Sequence, residues 1–406
     1  MLGVYFHIPF CVKKCFYCDF YSIETEPKDL SLIHTEESYE IDESIANQFL
    51  SSLENEIKIR TNDSNKIEVD SIFLGGGTPS LLSPQHIKLL FQYINEYFQV
   101  SNSSEITIEC NPGTITPEKL EVYKVVGINR LSIGVQSFIP EELKFLQRIH
   151  NSEDVFHSFK LAREFGFDNI SIDLIFSIPG QKRENLIYSL SKAIELNPEH
   201  ISAYSLIFEK GTPLYNEMKK GKIKPVDDNI DSELYEIVID FLTDNGYEQY
   251  EVSNFAKNQK YCNHNLKYWH NQEYLAFGPS AHGFYKNIRY KNKRSLKTYI
   301  NLLKSNTLPI DFEEFQDDKT KLTDTIFLGL RSDGIDFNKL MKNFKLDLRN
   351  IIKDEITFYK ENDFIYENND KIILTKNGYK ICDSIAVEII TKIDQYFANR
   401  NFKLVN

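Results

Sequence analysis

Cysteine is scarce in this 406-residue chain, six in all, and tryptophan occurs once. Six cysteines over such a length are too few for the disulfide framework that small secreted domains use in place of a large core. No run of about 18 or more apolar residues is present, and no apolar segment with a basic flank opens the chain. Neither a membrane span nor a secretory signal is expected, and a reducing cytoplasm is the expected compartment. Positive charge is short as well. Lys and Arg number 47 against 59 Asp and Glu, a net charge of -12, and a chain without a basic face does not neutralise nucleic-acid phosphates. One local exception runs through 286–304, where Lys286, Arg289, Lys291, Lys293, Arg294, Lys297 and Lys304 stand with no acid among them. A solvated loop and helix face explains it more simply than an anion site. Segment 24–43, with eight acids against Lys28 alone, reads as an exposed acidic loop.

What cysteine there is lies together. Cys11, Cys15 and Cys18 in HIPFCVKKCFYCDF have the spacing C-x3-C-x2-C, half of the chain's cysteine within eight residues. Thiolates bind zinc and iron-sulfur clusters, and a closed site of either kind takes four ligands, so three suggest a metal centre with one position open. Two plainer readings stand beside it: a zinc site completed by His7, and a reduced loop with no metal. Structural zinc motifs usually bring a second ligand pair, and none is near.

Apolar residues make up 41% of the chain, enough for one large domain and a smaller one. Up to about residue 210, short β-branched runs alternate with helical patterns. VYFHI (4–8), SIFL (71–74), EITIEC (105–110), RLSIGV (130–135), ISIDLIF (170–176) and HISAYSL (200–206) are the expected strands. Between them, 84–98 carries Ile87, Leu90, Phe91, Ile94 and Phe98 at helical spacing behind Ser83 and Pro84. Thr116-Pro117 opens another helix, and Val155, Phe159 and Ala162 mark a third. Six strands separated by helices predict an α/β fold with a parallel sheet, open or curled into a partial barrel. In either form the site gathers at the carboxyl ends of the strands. The cysteine loop, Gly75-Gly76-Gly77-Thr78-Pro79, Glu109, Gln136, Asp173 and Pro179-Gly180 all fall at or near such ends.

Beyond the strands, 229–243 reads as a helix and 247–290 as a mixed aromatic stretch. The tail reads as helix, helix, the hairpin FIYENNDKIIL (364–374) and a final helix over 376–398, a compact winged-helix-like α+β module. DNA binding by that module would follow from analogy of fold alone. The expected division is a core over 1–210, a flanking segment over 211–310 and a C-terminal domain over 311–406.

The string YFHIPFC at 5–11, the cysteine loop with Tyr17 before its last cysteine, and the GGGTP turn together resemble the radical S-adenosylmethionine proteins. IECNPG, RLSIGVQSF, SIDLIFSIPG and GYEQYEVSNFAK extend the likeness to the branch holding the oxygen-independent coproporphyrinogen III oxidases and the heme chaperones. The resemblance implies a partial (β/α)6 barrel. It also implies a [4Fe-4S] cluster on Cys11, Cys15 and Cys18, its fourth iron chelated by S-adenosylmethionine. Tyr5, Gly76, Gly77, Thr78, Glu109, Gln136, Arg148 and Asp173 would contact that cofactor, with Tyr17 beside its adenine. Carboxylates suit its amino group or ribose hydroxyls, and Arg148 suits its carboxylate. Taken singly, Arg148 also reads as a surface ion pair and Asp173 as a cap.

Within the branch, the oxidases carry a fourth cysteine two residues after the third, where this chain has Phe20, as the chaperones do. His264-Asn265-Leu266-Lys267-Tyr268-Trp269 matches the HNxxYW string of the chaperones, with His264 the implied heme residue and heme the implied cargo. As an isolated histidine it would read as a satisfied core group. His7, His150, His270, His282 and Cys262 are alternative ligands. A chaperone passing heme to acceptor proteins, membrane-associated ones included, is the favoured reading; an oxidase decarboxylating coproporphyrinogen III, and a regulatory tail module, are the others.

Overall fold

The computed structural model describes residues 1–25, 41–61 and 65–400, with side chains through 398. Most of the expected acidic loop lies outside the described residues. The strands β1 (Leu2–Ile8), β2 (Ile67–Gly76), β3 (Phe98–Cys110), β4 (Arg130–Gln136), β5 (Ile170–Phe176) and β6 (His200–Ser205) lie side by side in chain order, all parallel. They are the six expected from sequence, with β1, β2 and β3 starting earlier and β2 also ending later than expected. A seventh parallel strand, β7 (Tyr274–Phe277), pairs with the free side of β1. It leads into an antiparallel extension of β8 (His282–Tyr285), β9 (Ile288–Asn292) and β10 (Ile310–Phe315). Strands Asn254–Ala256 and Glu248–Gln249 extend the other side, giving a sheet of 12 strands whose edges are β10 and Glu248–Gln249. The sheet is an open, partial barrel.

Local chemistry explains the helices that cover its outer face. Helix Pro84–Tyr97 begins where the Ser83 side chain accepts from His86 N and Pro84 occupies the first turn, which has no need of its missing N–H. It ends one residue earlier than expected because Phe98 starts β3. Thr116 caps Pro117–Val125, and Asn151 with Asp154 forms a capping box on Ser152–Glu164, which buries Val155, Phe159 and Ala162. On the strands, period two separates the faces. Val4, Phe6, Ile8, Ile108, Ile133, Val135, Ile172 and Ile201 point to the helices and are fully buried, each such side chain contributing roughly 1.5–3 kcal/mol. Their neighbours Tyr5, His7, Glu109, Ser132, Asp173, Ser202 and Tyr204 point into the lumen and line a cavity. The inner face is therefore polar, and the lumen is a site rather than a packed core.

The tail has its own hydrophobic core, built around Leu322, Ile326, Leu340, Ile356, Ile372, Leu374, Ile385 and Ile389. Helices surround a three-stranded sheet whose hairpin, Ile365–Asn368 with Lys371–Leu374, is the one expected. The expected final helix is two, Lys376–Lys380 and Cys382–Arg400. Strand β10 belongs to the first sheet, so a third segment starting at 311 begins inside an edge strand of the barrel. The first helix of the tail, Asp318–Leu330, reaches back to the barrel: Asp324 pairs with Arg289 at 2.7 Å, and Leu328 borders the lumen cavity. Among the described residues no helix is long and apolar enough to cross a membrane.

Candidate functional site

The cysteine loop crosses the carboxyl rim of the sheet and is stapled at both ends. Residues Phe10–Cys11 pair with Ile23–Glu24, Thr25 N donates to Cys11 O at 2.8 Å, and Lys14 Nζ donates to Phe20 O at 3.1 Å. Phe16 and Tyr17 pack into a satellite apolar cluster with Leu146, Ile175, Ile178, Leu206 and Leu214, past the ends of β5 and β6. Leu214 N donates to Phe16 O at 3.0 Å. The glycine turn holds the floor. Gly77 N and Thr78 N donate to Ile8 O and Phe10 O at 2.8 and 2.7 Å. A Cβ on Gly77 would meet those same two carbonyls at 2.8 and 2.6 Å, and Gly76 has φ +109° with the His7 ring 2.6 Å from where a Cβ would lie. Only glycine lets the backbone run this close.

A ring of polar contacts joins the outer two sides of the loop. Thr78 Oγ1 lies 3.7 Å from Cys11 Sγ, Asn111 Nδ2 donates to Thr78 Oγ1 at 3.0 Å, and Arg148 Nη2 donates to Asn111 Oδ1 at 2.7 Å. Arg148 Nη1 then returns to Cys15 Sγ at 3.4 Å, and Nη2 also reaches Gly134 O at 2.8 Å. Arg148 is thus a largely buried partner of a thiol, not a surface ion pair, and its Nε has no partner among the described residues. Gln136 ends β4 at φ +68°, a left-handed conformation that turns its side chain back towards Gly134. Asn111 is the residue that sequence reasoning quoted without giving it a role. Its signal was there: it stands two positions after Glu109, and so on the same side of the strand.

Inside the lumen, Glu109 accepts from Gly76 N at 3.0 Å and faces Asp173, which accepts from Ser132 Oγ at 3.1 Å and Ser171 Oγ at 3.4 Å. Burial, and then the Asp173 charge, push the Glu109 carboxyl up to about 8; burial also raises Asp173 against its serine donors. Asp173 is a lumen carboxylate, not a cap. Tyr5 stacks on Phe73 with 6.2 Å between rings and hydrogen-bonds His7 Nδ1 at 3.2 Å. A carboxyl raised in this way beside a second buried carboxyl is set to give up its proton when a cation arrives.

Among the described residues no three His, Cys, Asp or Glu side chains gather closely enough for one metal ion. His7, the zinc reading's fourth ligand, donates from Nε2 to Tyr21 O at 2.7 Å and accepts at Nδ1 from Tyr5 OH at 3.2 Å, so both ring nitrogens are engaged. The thiols nonetheless feel each other: burial, Cys15 and Cys11 push Cys18 up to about 12, and burial raises Cys11. Such a set needs positive charge among the sulfurs to hold them as thiolates. Cys110, Cys262 and Cys382 are buried elsewhere, so the loop has three sulfurs and no fourth.

The Radical SAM superfamily pattern matches residues 5–193, and the HemN C-terminal domain pattern matches 316–380. The chain is 36% identical to the heme chaperone HemW of Bacillus subtilis, over 93% of this chain and 96% of that one. It is 33% identical to heme chaperone HemW of Lactococcus lactis, over 94% and 96%. The chain belongs to the HemW family. In fold it is also similar to the coproporphyrinogen III oxidase HemN of Escherichia coli, with a TM-score of 0.79, covering 96% of this chain and 90% of that one at 24% identity.

For a HemW-family chain, the main departure from the sequence reading is His264. It lies on the helix Asn263–Trp269, which plugs the amino end of the barrel, opposite the cysteine loop. Glu105 caps this helix by accepting from Asn263 N and His264 N, each at 3.0 Å, and Lys267 pairs with Asp70 at 2.7 Å. His264 is 0% exposed; Nδ1 bonds Ser71 Oγ at 3.0 Å and Nε2 bonds Tyr268 OH at 2.8 Å. As placed here it offers no nitrogen to an iron, and its visible task is to fix Tyr268, which borders the cavity. The other named alternatives divide likewise: His150 bonds Val135 O, His270 faces Asp333, and Cys262 is buried beside Glu105.

Proposed function

We propose that this protein binds heme and delivers it to acceptor proteins in the cytoplasm, membrane-associated acceptors included, and carries a [4Fe-4S] cluster with S-adenosylmethionine. Cys11, Cys15 and Cys18 would hold the cluster, which, when bound, supplies single electrons to the sulfonium. Arg148 and Asn111 would orient the cofactor's carboxylate, the Gly76–Gly77 backbone would receive its amino acid part, and Tyr17 would flank the adenine. Tyr5, Thr78 and Gln136 complete that contact set. Glu109 and Asp173 would take its ammonium or ribose hydroxyls and release protons as they ionise.

The observation that carries the heme part is the extent of the lumen. Its volume is about 580 Å³, and it continues past Glu109 and Asp173 to Phe73, Tyr268, Tyr274 and Phe284, aromatic surface that a nucleoside and an amino acid do not need. Phe20, 64% exposed at the rim, extends the apolar lining to the mouth. The test is anaerobic reconstitution with iron and sulfide, then spectra with S-adenosylmethionine and with heme. Saturable heme binding, and iron lost from a Cys11→Ser, Cys15→Ser, Cys18→Ser variant, are expected. Conversion of coproporphyrinogen III by the reconstituted protein would establish the oxidase reading instead.

A further inference from the structure

The antiparallel hairpin β8–β9 forms one side of the cavity. Its register places two cross-strand rows on a single face: His282 beside Lys291 and Phe312, and Tyr274 beside Phe284, Arg289 and Glu314. Gly283 and Tyr290 take the opposite face, where Tyr290 is buried and its hydroxyl bonds Ala276 N at 2.8 Å. His282, Phe284, Arg289 and Lys291 all border the cavity. An imidazole, two cations and two aromatic rings therefore share one wall.

We propose that this hairpin seats the tetrapyrrole, with His282 as the axial ligand of its iron and Lys291 and Arg289 as partners of its propionate carboxylates. The inference rests on the heme reading above and says where in the cavity the cargo is held. Only His7 and His282 among the described histidines border the cavity, and His7 has both nitrogens engaged. Neither nitrogen of His282 has a hydrogen-bond partner among the described residues, and its side chain is exposed to the cavity. Burial and the Lys291 charge lower its pKa, which favours the neutral ring that iron requires.

The cations divide by commitment. Lys291 forms no ion pair among the described residues, whereas Arg289 is held by Asp324 at 2.7 Å, close to Glu314. Arg294, the next cation towards the mouth, donates to Asp19 O at 2.6 Å and ties the hairpin to the cysteine loop. Lys291 and His282 are directly opposed and project from one sheet face. A macrocycle coordinated by His282 would meet Phe284 and Tyr274 on that face, and Lys291 would be the partner of a propionate carboxylate. The basic run 286–304, which a solvated surface explained from sequence, in this way supplies an anion-binding edge.

The test uses the full chain with its cluster reconstituted and compares heme, iron-free protoporphyrin IX and heme dimethyl ester. His282→Ala is expected to lose the Soret band of histidine-ligated heme and to weaken heme binding at least tenfold, with protoporphyrin binding unchanged within about twofold. Lys291→Gln is expected to weaken heme and protoporphyrin alike, and to leave the dimethyl ester unaffected. Neither side chain has a hydrogen-bond or ion-pair partner among the described residues, so the fold is expected to survive, with S-adenosylmethionine binding as the check. His264→Ala is expected to lower the melting temperature and keep the wild-type Soret position. The proposal is overturned if His282→Ala keeps the wild-type spectrum and affinity, if His264→Ala alone loses them, or if the dimethyl ester binds as tightly as heme. Absence of saturable heme binding by the wild type would remove the heme reading itself, a separate outcome.

Discussion

Glu109→Gln probes the electrostatics of the lumen without changing its shape. The Glu109 carboxyl is raised from an ordinary 4.5 to about 8, by burial first and by Asp173 second. The native chain then holds a proton that the unfolded chain gives up. Below the unfolded value both states are protonated and the native state has its full stability. Stability then falls as pH rises through 4.5 towards 8, and is level again above it. The slope is at most about 1.4 kcal/mol per pH unit, or ~5 kcal/mol over the whole window. Because the carboxyl borders an open cavity, solvent screening reduces this to about 2 kcal/mol. Glutamine keeps the carbonyl that accepts from Gly76 N and never ionises. The variant should match wild type near pH 5 and exceed it at pH 9, by about 2 kcal/mol and a few degrees in melting temperature. Thermal unfolding of the cofactor-free full chain from pH 5 to 9 at fixed ionic strength reads the difference. A difference that stays constant with pH, or that favours wild type at pH 9, would refute the reasoning, since Glu109 would then be ionised and paired in the native state. If S-adenosylmethionine places its ammonium here, wild-type binding tightens as pH approaches 8 and the variant's does not.

Three further outcomes are expected. Glu56 is 0% exposed and takes donors from Arg60 Nε, Asn292 Nδ2, Tyr299 OH and Gly278 N; Glu56→Ala should lose about 3–5 kcal/mol in thermal unfolding, because Arg60 is left buried without its partner, and a loss under about 1 kcal/mol would contradict this. Gly77→Ala sets a methyl against Ile8 O and Phe10 O, so iron incorporation should fall while the far-ultraviolet dichroism stays near wild type. Arg148→Lys keeps the charge but cannot serve Cys15, Asn111 and Gly134 together; equilibrium binding on cluster-loaded protein should show S-adenosylmethionine affinity reduced about tenfold, about the loss of one charge-assisted hydrogen bond.

Much of the barrel was legible because its signals are local. Each of the six strands is a β-branched run, Ser83, Thr116 and Asn151 cap three of the covering helices, and period two already separates Glu109 and Asn111 from Ile108 and Cys110. The hidden part concerned what the inner face meets. The strand runs left open whether the sheet was flat or curled, and only the fold shows that Ser132, Asp173 and Ser202 face a cavity. Short strand β7 escaped the reading because four residues, Tyr274–Phe277, in an aromatic stretch carry little periodicity of their own. It is ordered by pairing with β1, some 270 positions away in the chain.

The amino-acid sequence alone determined the sulfur triad, the glycine floor beneath it and the six β-branched strand segments, since each depends on spacing within a few residues. Tertiary structure decided the fates of the histidines. His264 stands in the more distinctive string, yet Glu105 and Asp70 hold its helix in the base of the barrel, and Ser71 and Tyr268 engage its two ring nitrogens. His282 stands in an unremarkable one and is left open on the cavity wall. The physical reason is that a side chain's chemistry is local, while its solvation and free valences are set by groups that folding brings from far along the chain.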